Sequence, residues 1–191
     1  MAKEQVEVKL TPQEIVEKTT IADVYRAVKN LDGVIYKTKL IYSDYFSNLS
    51  HNDIYIKPEN LQKTGSFKVR GALNRIANLT EEEKKKGVIA SSAGNHAQGI
   101  ALGATAQGIK STIVMPETAP IAKVSATKGY GAEVVLHGAV YDDAFAKACE
   151  IQKATGAVFL HPFDDEYVIA GQGTIGIEIL EDMADIDTVL V

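Results

Sequence analysis

Four short apolar runs, Gly87-Val-Ile-Ala90, Thr112-Ile-Val-Met115, Glu133-Val-Val-Leu136 and Ala157-Val-Phe-Leu160, recur through the second half of the chain with helical segments between them. Each is the length of a strand rather than a helix. The roughly 20 to 25 residues from one run to the next suit a strand, a crossover helix and a return beside the first strand. Such a rhythm predicts a parallel sheet, which buries both faces and so needs helices on each. Residues 141–155 supply one of these helices, with Phe145, Ala148 and Cys149 on one face and Gly156 to close it. Pro120 begins another, with Thr118 placed to cap it and Gly129 and Gly131 bracketing its end.

The first half is less regular. After a polar lead, Thr20 opens a helical stretch with Val24, Ala27, Val28 and Leu31 at helical spacing, ended by Asp32-Gly33. A short strand is expected over 34–36, a weak helix or turn over 44–50, and a strand over 53–57 that Pro58 stops. Residues 66–79 read as helix, with Phe67, Gly71, Leu73 and Ile76 available for burial. The charge block Glu81-Glu-Glu-Lys-Lys-Lys86 pairs Glu with Lys at i,i+3, as a solvated helix end does.

Charge and cysteine content remove several function classes. Twenty basic against twenty-five acidic residues give a formal charge of -5, the wrong sign for gripping a phosphate backbone, so nucleic acid is not the expected partner. The single cysteine, Cys149, cannot form an internal disulfide and sits on an apolar helix face, where a core thiol is expected. Met1-Ala-Lys-Glu-Gln5 lacks the apolar core of a signal peptide, and no apolar stretch is long enough to span a membrane. A cytoplasmic location is therefore expected. The apolar run Ile186-Asp-Thr-Val-Leu-Val191 reads as a strand that stops without a turn, cap or polar tail.

Three segments carry chemistry. In Lys63-Thr-Gly-Ser-Phe-Lys-Val-Arg-Gly-Ala72, a flexible turn leads into a helix with Lys68 in its first turn. An ammonium at the positive end of a helix dipole, packed beside Phe67, loses affinity for its proton, which makes a lysine nucleophilic. A snorkelling surface lysine fits the same residues. In Ser91-Ser-Ala-Gly-Asn-His-Ala-Gln-Gly99, small residues follow a strand and open an apolar helix, so backbone N–H groups are free for a carboxylate or phosphate. Asn95 and His96 add polarity at the carboxyl end of a strand, where open α/β sheets place ligands; a plain turn capped by Ser and Asn is the alternative. Ala170-Gly-Gln-Gly-Thr-Ile-Gly176 matches G-x-G-x-x-G after a β-like run. The acidic residue that such a fingerprint needs at the end of the next strand is missing, so helix initiation is expected rather than a dinucleotide. His51, His96, His137 and His161 have no metal-ligand spacing, and no G-x-S-x-G or P-loop occurs.

Ser66-Phe-Lys-Val-Arg-Gly-Ala72, Ser92-Ala-Gly-Asn-His-Ala-Gln98 and Val168-Ile-Ala-Gly-Gln-Gly-Thr174, in this order, closely resemble the pyridoxal-phosphate-dependent threonine dehydratases (threonine ammonia-lyases). Glu133-Val-Val-Leu-His-Gly138 and Ile175-Gly-Ile-Glu-Ile179 look most like the short catabolic type. The resemblance implies the two-domain α/β fold of the fold-type II pyridoxal 5'-phosphate enzymes. Residues 77–160 would form a small substrate-loop domain, and residues 1–76 with 161–191 an incomplete large one. It implies Lys68 as the Schiff-base lysine, Phe67 beside the cofactor ring, Asn95 on the ring hydroxyl, and Ser92, Ala93, Gly94, Asn95 and His96 on the loop that grips the substrate carboxylate. Gly171–Thr174 would begin a supporting helix.

The implied reaction starts when the freed Lys68 amine removes the α-proton of threonine while the cofactor acts as electron sink. Loss of the β-hydroxyl then leads to 2-oxobutanoate and ammonia, or to pyruvate from serine, in threonine catabolism or isoleucine biosynthesis. Ala93 stands where similar serine racemases carry a second serine, which favours elimination over racemisation. Cysteine synthases share the fold without the Phe-Lys-Val-Arg-Gly form. In the family, the strand resembling 188–191 leads into a glycine-rich phosphate loop, so the resemblance implies a truncated, weakly active chain whose full-length form is a dimer or tetramer. A non-catalytic folded fragment or oligomerisation module is the other expectation.

Overall fold

The computed structural model describes residues 11–191, so the polar lead lies outside the described residues. Helices α1 (Pro12–Lys18) and α2 (Ile21–Leu31) come first. In each, the carboxylate three residues past the cap reaches back to a threonine N–H, Glu14 to Thr11 at 2.7 Å and Asp23 to Thr20 at 2.8 Å. A two-stranded antiparallel ribbon, β1 (Ile41–Tyr42) with β2 (Tyr55–Ile56), encloses α3 (Asp44–Ser50). A 3-10 turn at Glu59–Leu61 then leads to α4 (Lys68–Ala77) and α5 (Glu81–Lys86).

From there strands and helices alternate: β3 (Val88–Ser91), α6 (Asn95–Ala106), β4 (Ser111–Met115), α7 (Ile121–Gly129), β5 (Glu133–Leu136), α8 (Tyr141–Thr155), β6 (Val158–Phe159) and α9 (Glu166–Asp182). The four strands pair in parallel in the order β5-β4-β3-β6. Alternation along each strand sends Val88, Ala90, Ile113 and Met115 to one face, where Ala97, Ile100, Ala101 and Ala104 of α6 cover them. Ile89 and Val114 point to the other face, against Ala144 and Ala148 of α8. The α/β architecture read from the apolar rhythm is thus present strand for strand.

Helix α4 is wedged between α6 and α9, and glycines permit the closeness. A Cβ on Gly99 would stand 3.1 Å from the Val69 Cα, and one on Gly103 2.7 Å from Leu73 Cδ2. On the opposite side Arg70 has no exposed surface and uses all five of its N–H groups. Nε and Nη2 donate to Glu59, Nη1 and Nη2 to Glu178, and Nη1 also to Thr174 Oγ1, at 2.7–3.1 Å. Lys57 Nζ completes the cluster on Glu178 at 2.6 Å. Burial alone pushes the Glu178 carboxyl up, but the hydrogen bonds from Arg70 and Lys57 reverse this and hold it below the usual range. The guanidinium is likewise opposed by burial and held more firmly charged by its two carboxylates.

Four local expectations differ from the structure. Residues 34–36 form no strand, because the Gln62 carboxamide takes the place of a neighbour: it accepts from Tyr36 N–H at 2.9 Å and donates to the Tyr36 carbonyl at 2.7 Å. The glycines of 171–176 do not begin a helix but lie inside α9, whose start is set by Asp165 Oδ1 accepting from Tyr167 and Val168 N–H. Pro120, not Thr118, is the cap residue of α7, and the Thr118 hydroxyl donates to the Ala139 carbonyl instead. Residues 188–191 pair with no strand among the described residues, and Leu190 is 91% exposed.

Candidate active site

The order β5-β4-β3-β6 reverses at β3: the chain moves outward through β4 and β5, then returns to add β6 on the other side. Open α/β sheets bind ligands at the carboxyl ends of the strands flanking such a reversal. Here those ends are Ser91 of β3 and Phe159 of β6, and the loops that follow them carry the candidate residues.

Lys68 reaches this edge from the first position of α4. Its Nζ donates to the Pro162 carbonyl, just beyond β6, at 3.2 Å. The Phe163 ring centroid lies 4.5 Å from the amine and that of Phe67 5.4 Å away. Burial lowers the proton affinity of the amine below the ordinary lysine value, and no carboxylate partner opposes it among the described residues. The rings favour the ammonium modestly, by about 0.5–1 kcal/mol where solvent still enters. The arrangement holds a partly desolvated amine in place by a contact that both its protonated and neutral forms can make.

The second segment follows β3. Ser92 N–H donates to the Val114 carbonyl at 3.2 Å, extending the ladder by one bond. Ser92 Oγ then accepts from Gly94 N–H at 3.3 Å, while Ala93 packs half-buried on the core. Asn95 opens α6, and its Oδ1 accepts from Lys123 Nζ at 3.1 Å. His96 points elsewhere: it is 3% exposed, with Nε2–H donating to the Leu160 carbonyl at 3.3 Å and Nδ1 buried without a partner. Burial, reinforced by the Lys68 charge, holds its ring well below the usual histidine range, at about 4.

Lys68 and Phe67 thus stand by the loop after β6, and Ser92, Ala93, Gly94 and Asn95 form the loop after the neighbouring β3, while the His96 ring is buried rather than on that loop's surface. The close approach of Gly99 to the Lys68 carbonyl, 3.4 Å from a built Cβ, sets the start of α4 against α6. Pro162, Phe163 and Lys123 were not singled out by sequence reasoning. Lys123 had a signal, since a cation in the first turn of a helix opposes the dipole and asks for a compensating partner.

Residues 31–191 match the family of pyridoxal-phosphate dependent enzymes. The chain belongs to that family. It is 55% identical to the L-threonine ammonia-lyase of Thermotoga maritima over 172 residues, which is 90% of this chain and 43% of that protein. It is 53% identical to the catabolic L-threonine dehydratase TdcB of Escherichia coli K12 over 90% of this chain and 52% of that one. The chain spans about half the length of the curated relatives it matches. Among solved structures, maize serine racemase superposes with a TM-score of 0.86 at 36% identity, covering 88% of this chain and 51% of that one. The processed form of threonine deaminase isoform 2 from Solanum lycopersicum gives 0.81 at 39%, covering 87% and 47%. The family's fold is the α/β fold described above.

Proposed function

We propose that this chain carries the reactive-lysine and substrate-loop half of a pyridoxal-phosphate-dependent threonine ammonia-lyase, converting L-threonine to 2-oxobutanoate and ammonia and L-serine to pyruvate. The carrying observation is the Lys68 amine, partly desolvated beside Phe67 and Phe163 at the sheet reversal and bonded only to the Pro162 carbonyl among the described residues. The names of the relatives from Thermotoga maritima and Escherichia coli support the substrate assignment. The residues suit the cofactor: a partly desolvated amine condenses with an aldehyde, and a carboxamide at Asn95 can meet a ring oxygen. When bound, pyridoxal phosphate supplies the electron sink that stabilises charge at the α-carbon.

The chain's own residues would do the rest. Lys68 would take the α-proton, and burial shifts its proton affinity in the direction a base needs. The loop from Ser92 to Asn95 would bind the substrate carboxylate with help from the N–H groups of the first turn of α6, beginning at Asn95. Ala93 offers a methyl group and no proton, which disfavours the racemase reading that the maize structure suggests. We assign residues 77–160 to a small domain that closes over the substrate, with 1–76 and 161–191 in the larger one, in a cytoplasmic homo-oligomer. No helix among the described residues is long and apolar enough to cross a membrane.

Incubation with pyridoxal phosphate, borohydride reduction and peptide mapping tests the lysine. Lys68 is expected to take the label ahead of every other lysine near pH 7; equal labelling of surface lysines would overturn the assignment. In the full-length protein, Lys68→Ala is expected to abolish release of 2-oxobutanoate from threonine.

A further inference from the structure

Lys123 is a basic side chain that reaches the substrate loop from another helix. It lies in the first turn of α7, is half-buried, and its Nζ stands 3.1 Å from Asn95 Oδ1. Among the described residues that amine has no carboxylate partner. An ammonium can only donate, so the contact decides which end of the Asn95 carboxamide faces it: the oxygen is taken, and the two Nδ2 protons are left over. Helices α6 and α7 follow adjacent strands, β3 and β4, and start at the same edge of the sheet, so the contact spans two crossovers and ties the loop to α7.

We propose that Lys123 is a positioning residue for the proposed reaction: it locks the Asn95 carboxamide with Nδ2 as the end that meets the ligand, making Asn95 a donor to an anionic ring oxygen of the cofactor. The inference rests on the reading of Lys68 as the cofactor lysine. A free asparagine presents either a donor or an acceptor, and rotation between the two costs little. With Oδ1 held by a cation, the acceptor face is blocked and the remaining N–H groups are polarised as donors. The lysine charge itself also favours an anion nearby.

Two measurements test this. In the cofactor-free chain, side-chain NMR couplings of Asn95 are expected to report one rotamer in the parent and in Lys123→Arg, and averaging in Lys123→Met. An unchanged rotamer in Lys123→Met overturns the proposal. With pyridoxal phosphate bound, Lys123→Met and Asn95→Ala are each expected to raise the pH midpoint of the visible absorbance by about one unit, a tenfold change in proton affinity. The double variant is expected to show no further shift, because both act through one bond. A midpoint in Lys123→Met equal to the parent's, or additive shifts in the double variant, overturns the proposal. Absence of a Lys68-linked absorbance in the parent refutes the cofactor reading instead, and the rotamer result still decides whether Lys123 holds Asn95.

Discussion

A Cβ built on Gly171 of α9 would stand 2.7 Å from the Gly71 Cα of α4 and 2.7 Å from the Arg70 carbonyl oxygen. Both obstacles are backbone, so neither can swing aside. Gly171→Ala is expected to force the helices apart and cost about 2 kcal/mol or more, in the range for overpacked cores. Gly176, in the same helix, is exposed and has nothing within 4 Å of its built Cβ. Gly176→Ala is expected to stabilise by about 0.5–1 kcal/mol through helix propensity alone. Urea unfolding of the two variants should move the midpoint in opposite directions; a shared direction would contradict the packing assigned to α9.

Removing the Arg70 guanidinium while keeping its volume leaves Glu178 with only Lys57, and Glu59 with only the Thr38 hydroxyl, to answer its charge. Arg70→Met is expected to cost about 3–5 kcal/mol, the penalty of breaking a buried ion pair from one side. Arg70→Lys should recover little, since one ammonium cannot replace five donors in a planar fork. Equilibrium unfolding measures both, and a loss below about 1 kcal/mol for Arg70→Met would show that the cluster holds nothing together.

The His96 ring is held neutral in the folded state, at about 4 against an ordinary value of 6.5. The unfolded chain therefore takes up this proton first as pH falls. The stability contribution is intact above 6.5, declines by about 1.4 kcal/mol per pH unit below it, and is spent near 4. Between pH 7 and pH 5 the parent is expected to lose about 2 kcal/mol more than His96→Gln, whose carboxamide does not titrate. Denaturant titrations at the two pH values provide the comparison, and parallel losses in the two proteins would place the acid sensitivity elsewhere.

Gln62 is 4% exposed and serves the Tyr36 main chain as both donor and acceptor. Gln62→Glu keeps the acceptor but turns a carboxylate oxygen toward the Tyr36 carbonyl, at an expected cost of about 2 kcal/mol at neutral pH. Protonation would restore the missing donor. The deficit against the parent should therefore shrink as pH falls toward the carboxyl range, and a deficit that does not change with pH would argue that Gln62 only fills space.

What could be read beforehand divides along physical lines. The four parallel strands and α8 are legible because parallel strands read as short apolar runs between helical segments, and because Gly156 marks a left-handed helix end at φ 72°. Lys68 and Asn95 stand out as candidates because each opens a helix at a turn or strand junction within a motif that resembles the threonine dehydratases. The segment 34–36 looks like a strand but is not one, because a side chain from 26 residues away does the work of a neighbouring strand, and no local pattern announces that. The glycines at 171–176 misled for a different reason: a tight ligand turn and a close helix crossing both demand small residues at short intervals. Phe163 and Lys123 reach the site from other loops and helices, so only the folded chain reveals them beside Lys68 and Asn95.

Helix α4 is gripped on both sides through glycine, by Gly99 and Gly103 of α6 and by Gly171 of α9. Much of that grip is main chain against main chain, which does not change when neighbouring side chains grow or shrink. The Lys68 amine at its first residue is thereby insulated from variation around it. In the proposed reaction, residues lining the substrate's side chain could be exchanged to admit a new amino acid while the Lys68 nitrogen stays where it was. A scaffold of this kind separates what is recognised from what is done to it.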